Sequence, residues 1–508
     1  MSVGINNRLQ EWLKSHALVH PDKSFIVSID QDKSVTYGEA YQTCCQIGHY
    51  LKSKGFAAND RVALMSNNSI EHLLTYIGVM AYGATICTIH VEMNALYIDE
   101  IIPSIQPKII LFEEAADLDL SSVGDIETLP LGEFGGTREN SFFGLLSQNT
   151  PENFQNSINA PDDIASIFYT SGTSTKPKGV MYSFADLVEN TEAVASGFDL
   201  SEEDRILDFR SFNWMSAQVL SALAPLSVGA TLLLARKFSS SRFFDWIKEH
   251  KATIAAGNPT TINMLINRPS EITGRDIPHL RYITSSSAPL LMQDWQKFEA
   301  LYDIELAQGY GASETGWISA SHENCRKRGS VGKPLGYQNL TIVDDDSAQL
   351  PANEIGQIEL GPRADTEFKY LDINGEKHVT ATGRVKTGDM GYLDEKGFLY
   401  ISGRRKDLII RGGVNISPLE IEDAILEMPG IAEVAAIGIE DIIYGEGVAA
   451  LVVLQQQCSI MPEDVINHCK QKLSEVKIPA TVRILSSLPK TDRGKLDRKS
   501  LKELWSEE

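Results

Sequence analysis

The stretch DIASIFYTSGTSTKPKG, residues 163–179, joins a short apolar run to a loop rich in glycine and hydroxyl side chains. The run DIASIFYT predicts a buried strand that delivers the chain into the loop. Glycine allows close approach of the backbone, and backbone N–H groups, hydroxyls and Lys178 can together form a nest for an anion. The loop departs from the P-loop pattern G-x-x-x-x-G-K-[ST], because its lysine is followed by glycine. Taken alone, it predicts either a phosphate-binding loop or an ordinary surface turn.

Outward from this loop, apolar strand patterns alternate with helix patterns along most of the chain. Thr36 and Glu39 stand at capping-box spacing at the start of one helix pattern, and Gly55 is typical of its end. The uncharged run 73–89 predicts a buried helix followed by a buried strand, since it is shorter than the roughly 20 residues that a membrane span needs. This alternation indicates an α/β fold with mostly parallel sheets flanked by helices.

The pattern changes near residue 400, where charged residues and glycines separate short strands. Helix patterns begin near Pro418 and Pro462, and the strand patterns EVAAIGI, GVAALVVL and VRIL complete this part of the chain. About 100 residues of such an α+β pattern would make a compact second domain. We therefore predict a large N-terminal domain over residues 1–403, a hinge over 404–407 and a small C-terminal domain over 408–508.

The composition is that of a folded protein, with 508 residues, 43% hydrophobic and 22% charged. The net charge of −22 argues against general binding of nucleic acid. The six cysteines form no C-x-x-C pair, and no apolar segment opens the sequence. We therefore expect reduced thiols, a cytoplasmic location and no membrane span.

Several well-known catalytic patterns are missing or incomplete. The ten histidines form no H-E-x-x-H motif, and no Cys/His spacing suits zinc. The run from Gly309 to Glu314 has glutamate where a dinucleotide fingerprint needs its third glycine. Neither H-R-D nor D-F-G occurs, which excludes a protein kinase.

Three later segments add chemistry suited to a nucleotide. QGYGASETG, residues 308–316, brings an aromatic ring, a hydroxyl and the Glu314 carboxylate into a glycine-rich loop, and a carboxylate beside phosphates is suited to Mg²⁺. Residues 386–407 contain Asp389, suited to paired ribose hydroxyls, and Arg404, suited to ribose or phosphate. LPKTDRGKLDR, residues 488–498, places a lysine after glycine in a basic tail.

These four segments, in this order and at these separations, resemble the adenylate-forming (AMP-binding) superfamily. Its members include acyl- and aryl-CoA ligases, the adenylation domains of peptide synthetases and firefly luciferase. The resemblance covers nearly the whole chain. It implies an N-terminal domain that carries the ATP and acid sites and a small mobile C-terminal domain that carries an adenylation lysine. The implied cofactors are ATP, Mg²⁺ and CoA.

The resemblance also assigns roles by position. Lys495 would bridge the substrate carboxylate and phosphate, and Glu314 would be catalytic as the Mg²⁺ contact. Ser287, Ala288 and Pro289 would form the wall of the adenine site, and Tyr310 would stack on the base. Asp389 and Arg404 would contact the ribose. The full set of implied ATP-binding residues is Thr170, Ser171, Gly172, Thr173, Ser174, Lys178, Ser287, Ala288, Pro289, Tyr310, Ser313, Asp389 and Arg404.

The segment RGGVNISPLEIE, residues 411–422, resembles the version typical of CoA ligases. The implied reaction is that of an acid–CoA ligase, in which a carboxylic acid and ATP give acyl-AMP and pyrophosphate, and acyl-AMP and CoA give acyl-CoA and AMP. A free-standing adenylation enzyme that loads an acid onto a phosphopantetheinyl carrier protein is the alternative. Lys406 falls at the implied hinge, and Gly412 and Gly413 fall near the implied CoA channel.

The acid itself is not identified by sequence. In the implied pocket, Trp214, Gln218 and Trp317 would form a partly aromatic wall with one amide. Such a wall suits a small or medium acyl or aryl acid, or a cationic headgroup held by cation–π attraction. Core packing is the alternative for Trp214. A non-catalytic nucleotide sensor is disfavoured, because Glu314, Asp389, Arg404 and Lys495 are all present.

Overall fold

The computed structural model describes residues 7–116, 118, 120, 123–148, 157–170, 178–361, 367–372, 374–455, 458–490 and 496–506. Its α-helices are α1 Arg8–Val19, α2 Tyr37–Ser53, α3 Ile70–Tyr82, α4 Ala95–Ile105, α5 Phe142–Ser147, α6 Phe184–Gly197, α7 Met215–Ala217, α8 Ala224–Val228, α9 Phe243–His250, α10 Pro259–Asn267, α11 Met292–Tyr302, α12 Pro418–Leu426, α13 Pro462–Lys472 and α14 Arg498–Ser506. A π-helix, Gln218–Leu223, joins α7 to α8.

The strands are β1 Ser24–Ser28, β2 Lys33–Thr36, β3 Arg61–Met65, β4 Thr85–Ile89, β5 Ile109–Phe112, β6 Glu127–Pro130, β7 Ile164–Thr170, β8 Lys178–Ser183, β9 Arg205–Asp208, β10 Thr231–Leu234, β11 Ile254–Ala255, β12 Tyr282–Ser285, β13 Leu306–Gln308, β14 Tyr310–Ala312, β15 Gly316–Ala320, β16 Lys333–Pro334, β17 Leu340–Val343, β18 Gly356–Leu360, β19 Glu367–Leu371, β20 Lys377–Thr382, β21 Val385–Leu393, β22 Leu399–Arg404, β23 Ile409–Arg411, β24 Val414–Ile416, β25 Ile431–Asp441, β26 Gly445–Leu454 and β27 Thr481–Leu485.

Two large sheets organise the N-terminal part of the molecule. In the first sheet the order is β20-β19-β8-β7-β4-β3-β5-β6, and β7, β4, β3, β5 and β6 run parallel. In the second the order is β13-β12-β11-β9-β10-β1-β2, and all but β2 run parallel to their neighbours. This confirms the predicted α/β class.

Helices lie between these two sheets and bury their apolar side chains against them. One hydrophobic core joins residues of both sheets to residues of α2, α3, α6 and α8. Every residue of α3 is buried, which explains why its sequence lacks a polar face. The predicted buried helix and strand within 73–89 are confirmed as α3 and β4, and the Thr36–Glu39 capping box is confirmed at the start of α2.

Two smaller sheets follow the second large sheet. Strands β14, β15 and β16 form one, and β17, β18, β21 and β22 form the other, with antiparallel pairing in both. Val331, Ile342, Ile358 and Leu399 form a small core that Tyr310 also packs against. This packing brings β14 next to β21, and the candidate site lies there.

The C-terminal unit, from β23 to α14, has hydrophobic cores of its own. Its sheet has the order β24-β23-β26-β25, and β27 adds to β26 in parallel. The predicted hinge coincides with a short 3₁₀ helix, Arg405–Asp407. The domain boundaries themselves stay predictions. None of the described helices is long and apolar enough to cross a lipid bilayer.

Candidate active site

Tyr310, Asp389 and Arg404 meet where the two small sheets touch. The Tyr310 hydroxyl donates to Oδ2 of Asp389 at 2.5 Å, and Nε of Arg404 lies 3.3 Å from Oδ1. Asp389 and Arg404 are direct partners across β21 and β22, so their meeting follows from strand register. Burial and the Asp389 carboxylate raise the pKa of Tyr310 well above its usual value, so its hydroxyl stays protonated and donates.

The turn after β12 lies beside this cluster. β12 and β13 are parallel neighbours, so the loops that leave their carboxyl ends share one edge of the sheet. Ser287, Ala288 and Pro289 follow β12, and Tyr310 follows β13. Ser287 has a φ of +76°, a conformation that a serine adopts only when its surroundings hold it. The structure therefore brings the four residues with implied adenine contacts to one edge.

Ser313 and Glu314 lie in the turn between β14 and β15. Ala312 pairs with Gly316, which closes the turn, and Gly316 has a φ of +77°. The hydroxyl of Tyr182 on β8 donates to the Ser313 carbonyl at 2.9 Å, and this bond ties the turn to the first large sheet. Glu314 is exposed. An exposed carboxylate that can be shared with phosphate oxygens fits Mg²⁺, which is usually held by one or two carboxylates and substrate phosphates.

The implied phosphate loop connects two antiparallel strands rather than a strand and a helix. Thr170 on β7 pairs with Lys178 on β8. Ser171, Gly172, Thr173 and Ser174 lie outside the described residues. The ammonium group of Lys178 lies 4.6 Å from the centre of the Tyr370 ring on β19, a cation–π contact. A P-loop leads from a strand into a helix, so this loop, which joins β7 to β8, differs from a P-loop in its structural setting as well as in its sequence.

The residues implied in the second half of the reaction lie on the C-terminal unit or next to it. Lys406 is exposed in the 3₁₀ helix at the predicted hinge. Gly412 and Gly413 form the two-residue turn between β23 and β24, with φ of +57° and +82°, which a two-residue hairpin favours and only glycine adopts easily. Lys495 lies outside the described residues.

Comparison with known proteins decides the family. Residues 13–362 match the family described as AMP-binding enzyme, and residues 420–495 match the AMP-binding enzyme C-terminal domain. The chain belongs to the AMP-binding enzyme family. It is 29% identical over 500 residues to the sulfoacetate–CoA ligase of Cupriavidus necator, and the alignment covers 95% of this chain and 94% of the relative.

Two further similarities support the same assignment. The crotonobetaine/carnitine–CoA ligase of Escherichia fergusonii is 30% identical over 490 residues, which is 92% of this chain and 93% of the relative. The crystal structure of ATP-bound MatB from Rhodopseudomonas palustris superimposes with a TM-score of 0.84 at 25% identity, with 99% of each chain covered. Like these relatives, this AMP-binding enzyme is an AMP-forming acyl-CoA synthetase that uses ATP, Mg²⁺ and CoA.

The three residues predicted to line the acyl pocket differ in their surroundings. Trp214 is half-buried, with its ring centre 5.8 Å from that of His90. Trp317 is buried and packs edge-to-face on Phe198, and its indole N–H has no hydrogen-bond partner among the described residues. The amide of Gln218 donates to Thr88 Oγ1 at 3.0 Å and to the Phe212 carbonyl at 2.8 Å, and it accepts from Tyr76 at 3.3 Å. Internal partners therefore already engage Gln218.

Sequence reasoning did not single out Arg210 or Asn68. Both are buried polar residues beside the segment that leads to Trp214. The sequence does contain one signal for Arg210, since Asp208 and Arg210 flank Phe209 directly after the apolar residues Ile206 and Leu207. A buried charge needs a partner, and Asp208 is that partner.

Proposed function

We propose that this AMP-binding enzyme activates a small or medium carboxylic acid in two half-reactions. In the first, a carboxylate oxygen bonds to the α-phosphorus of ATP, the bond from that phosphorus to the bridging oxygen breaks, and pyrophosphate leaves. In the second, the CoA sulfur bonds to the acyl carbon, AMP leaves with its phosphate oxygen, and the thiol proton is released. The observation that carries the proposal is the cluster of Tyr310, Asp389 and Arg404 beside the Ser287 turn.

The cluster is suited to a nucleoside. The half-buried Tyr310 offers a ring face for adenine, and we assign the Ser286–Pro289 turn to the wall of the adenine site. Asp389, only 7% exposed, offers carboxylate oxygens to two ribose hydroxyls. Each carboxylate oxygen accepts more than one hydrogen bond, so Asp389 can keep Tyr310 and Arg404 while it binds ribose. Thr170 and Lys178 mark the ends of the loop that we assign to the β- and γ-phosphates.

The first half-reaction needs alignment and charge neutralisation rather than a protein nucleophile. We assign the Mg²⁺ contact to Glu314, and the ion would neutralise charge on the departing pyrophosphate. We assign to Lys495 the bridge between the substrate carboxylate and the α-phosphate. The C-terminal unit would then turn about Lys406, so that the Gly412–Gly413 turn borders the path of CoA.

The two tryptophans limit the size of the acid in this proposal. Trp214 and Trp317 are large and rigid, and they would shorten the pocket relative to one lined by small side chains. Gln218 is an unsuitable ligand for the acid, because internal hydrogen bonds already use its amide. The relatives named for sulfoacetate and for crotonobetaine or carnitine suggest acids with a charged or zwitterionic end as first candidates.

The test is pyrophosphate release from Mg²⁺-ATP across a panel of acids, with and without CoA. The panel includes sulfoacetate, crotonobetaine, carnitine, oxalate, indoleacetate, short-chain acids and amino acids. We expect one acid to drive release and CoA to accelerate it, and we expect Asp389→Asn to lower the rate. Release that stalls near one equivalent until a phosphopantetheinyl carrier protein is added would instead favour carrier loading. Release that needs no acid would contradict the proposal.

A further inference from the structure

We infer that Arg210 is a positioning residue that holds the Ser286–Pro289 turn and joins it to the segment leading to Trp214. This inference rests on the proposed function, since that function assigns the turn to the adenine of ATP. It adds a residue that couples the wall of the nucleotide site to the wall of the acid site.

Arg210 forms a rigid, buried ion pair at the carboxyl end of β9. Its Nη2 lies 2.7 Å from Oδ2 of Asp208, and its Nε lies 3.1 Å from both carboxylate oxygens. The side chains are 7% and 0% exposed, respectively. Ser221 on the π-helix also donates to Asp208 Oδ2, at 2.6 Å. Because the carboxylate takes up one side of the guanidinium fork, the direction of the remaining N–H groups is set.

The free end of the fork reaches the turn after β12. Nη1 of Arg210 donates to Oγ of Ser286 at 3.2 Å. β9 and β12 are separated by β11 in the sheet, so this bond spans the carboxyl ends of three strands. Ser286 is buried and directly precedes Ser287, whose φ is +76°. A non-glycine residue in this region is unfavourable, so contacts on its neighbours are needed to keep it there.

The backbone of Arg210 is fixed from the other side. Nδ2 of Asn68, in the loop before α3, donates to the Arg210 carbonyl at 2.8 Å, and its Oδ1 accepts from the Phe212 N–H at 2.9 Å. The segment 210–212 therefore has little freedom, and Trp214 follows two residues later. A displacement of Arg210 would be felt both at the Ser287 turn and at Trp214.

A second ion pair at the opposite edge of the same sheet provides a matched comparison. Arg281 precedes β12 and Asp204 precedes β9, and Nη1 of Arg281 lies 2.8 Å from Oδ2 of Asp204. The Arg281–Asp204 pair thus joins the amino ends of the two strands whose carboxyl ends are joined by the Arg210–Ser286 hydrogen bond. The Arg281 pair lies at the amino ends, away from the edge that carries Ser287 and Tyr310. A general loss of sheet stability should affect both variants, whereas loss of positioning should affect one.

The experiment compares Arg210→Lys and Ser286→Ala with Arg281→Lys, using binding of Mg²⁺-ATP and of Mg²⁺-tripolyphosphate without any acid. Lysine keeps a positive charge beside Asp208 but cannot contact Asp208 and Ser286 together. We expect Arg210→Lys to raise the Kd for Mg²⁺-ATP about tenfold, as for loss of a buried hydrogen bond to a charged group. Ser286→Ala should raise the Kd for Mg²⁺-ATP about threefold. The variant that combines Arg210→Lys with Ser286→Ala should bind Mg²⁺-ATP no more weakly than Arg210→Lys alone, since both changes remove the same contact.

Tripolyphosphate makes the readout specific for the nucleoside. We expect its Kd to stay unchanged in both site variants, because it lacks the base that the turn would contact. The same Kd for Mg²⁺-ATP in Arg210→Lys, Ser286→Ala and Arg281→Lys would overturn the inference and leave the proposed function intact. An equal loss of affinity for Mg²⁺-ATP and for Mg²⁺-tripolyphosphate in the two site variants would do the same. If the wild-type protein binds neither ligand, the proposed function fails and the inference fails with it.

Discussion

The backbone N–H of Met292, at the first residue of α11, donates to Oδ1 of Asp423 on α12 at 3.3 Å. This hydrogen bond joins the N-terminal part of the molecule to the C-terminal unit across the predicted hinge. The N-cap residue of α11, Leu291, has an apolar side chain that cannot accept a hydrogen bond from the first turn. The Asp423 carboxylate of the C-terminal unit accepts one instead. Leu291 packs against the core of the C-terminal unit next to this contact.

This contact predicts that packing of the two units depends on pH. Burial raises the pKa of Asp423 to about 6, against the Met292 hydrogen bond, with Asp294 and Glu427 adding repulsion. Burial also raises the pKa of Asp294. Since the packed state binds these protons more tightly, its stability is highest at low pH and is lost as pH rises to about 6. Each of the two carboxyl groups can change the equilibrium constant between packed and separated units by at most about tenfold per pH unit. Small-angle X-ray scattering across this range measures the change.

Asp423→Asn should flatten this pH dependence, because the amide keeps its shape but does not titrate. Glu427→Gln is the control, since Glu427 is exposed at the end of the same helix and pairs with Lys472 at 2.7 Å. Equal pH dependence in wild type and Asp423→Asn would contradict the role of this carboxylate.

Arg498→Met should destabilise the C-terminal unit by about 3–5 kcal/mol, because it leaves a buried carboxylate without its partner. Nη2 of Arg498 lies 2.8 Å from Oε1 of Glu422, which is 3% exposed, and Nη1 donates to the Ala436 carbonyl at 2.7 Å. Urea unfolding measures the loss. Lys499→Met on the same helix is the control, because its contact with Glu503 is a surface pair at 3.7 Å and should contribute below about 1 kcal/mol.

Glu314→Gln should raise the Mg²⁺ concentration needed for half-maximal pyrophosphate exchange by about tenfold, since an amide oxygen is a weaker ligand than a carboxylate. The measurement is exchange of labelled pyrophosphate into ATP with the acid found in the panel. Glu354→Gln, also exposed but in the loop between β17 and β18, is the control. An unchanged Mg²⁺ dependence in Glu314→Gln would remove the metal role from this residue.

Lys495→Ala should slow adenylation by about 10²- to 10³-fold, the usual cost of removing one group that stabilises developing charge. Formation of the thioester from acyl-AMP supplied in advance should continue. Lys490→Ala, which removes a surface lysine 2.8 Å from Glu433, should leave both half-reactions unchanged. Normal adenylation by Lys495→Ala would refute the proposed role.

Features that depend on near neighbours in the chain were predictable. Thr36 and Glu39 form their capping box because both partners lie within one turn of helix. The α/β class followed in the same way, from alternating local patterns.

The assembly of the site was predictable only through resemblance to a family. Tyr310 and Asp389 are 79 positions apart, and their contact depends on how two small sheets pack. Gln218 stays a predicted pocket residue, and the contact of its amide with Thr88, 130 positions away, likewise depends on packing. Neither the register nor the packing of these elements is encoded in a short stretch.

The sequence by itself determined the elements and the kinds of side chain they carry: apolar strands, capped helices, and carboxylates and cations beside glycine-rich turns. Only the tertiary structure decided which polar groups are already paired and which remain available. Arg210 illustrates the difference, because its charge and its neighbour Asp208 are evident from sequence, but its contact with Ser286, 76 positions away, depends on three strand ends meeting at one edge of a sheet. Such contacts depend on long-range burial and register, which set the energy of a polar group and are not written near it in the chain.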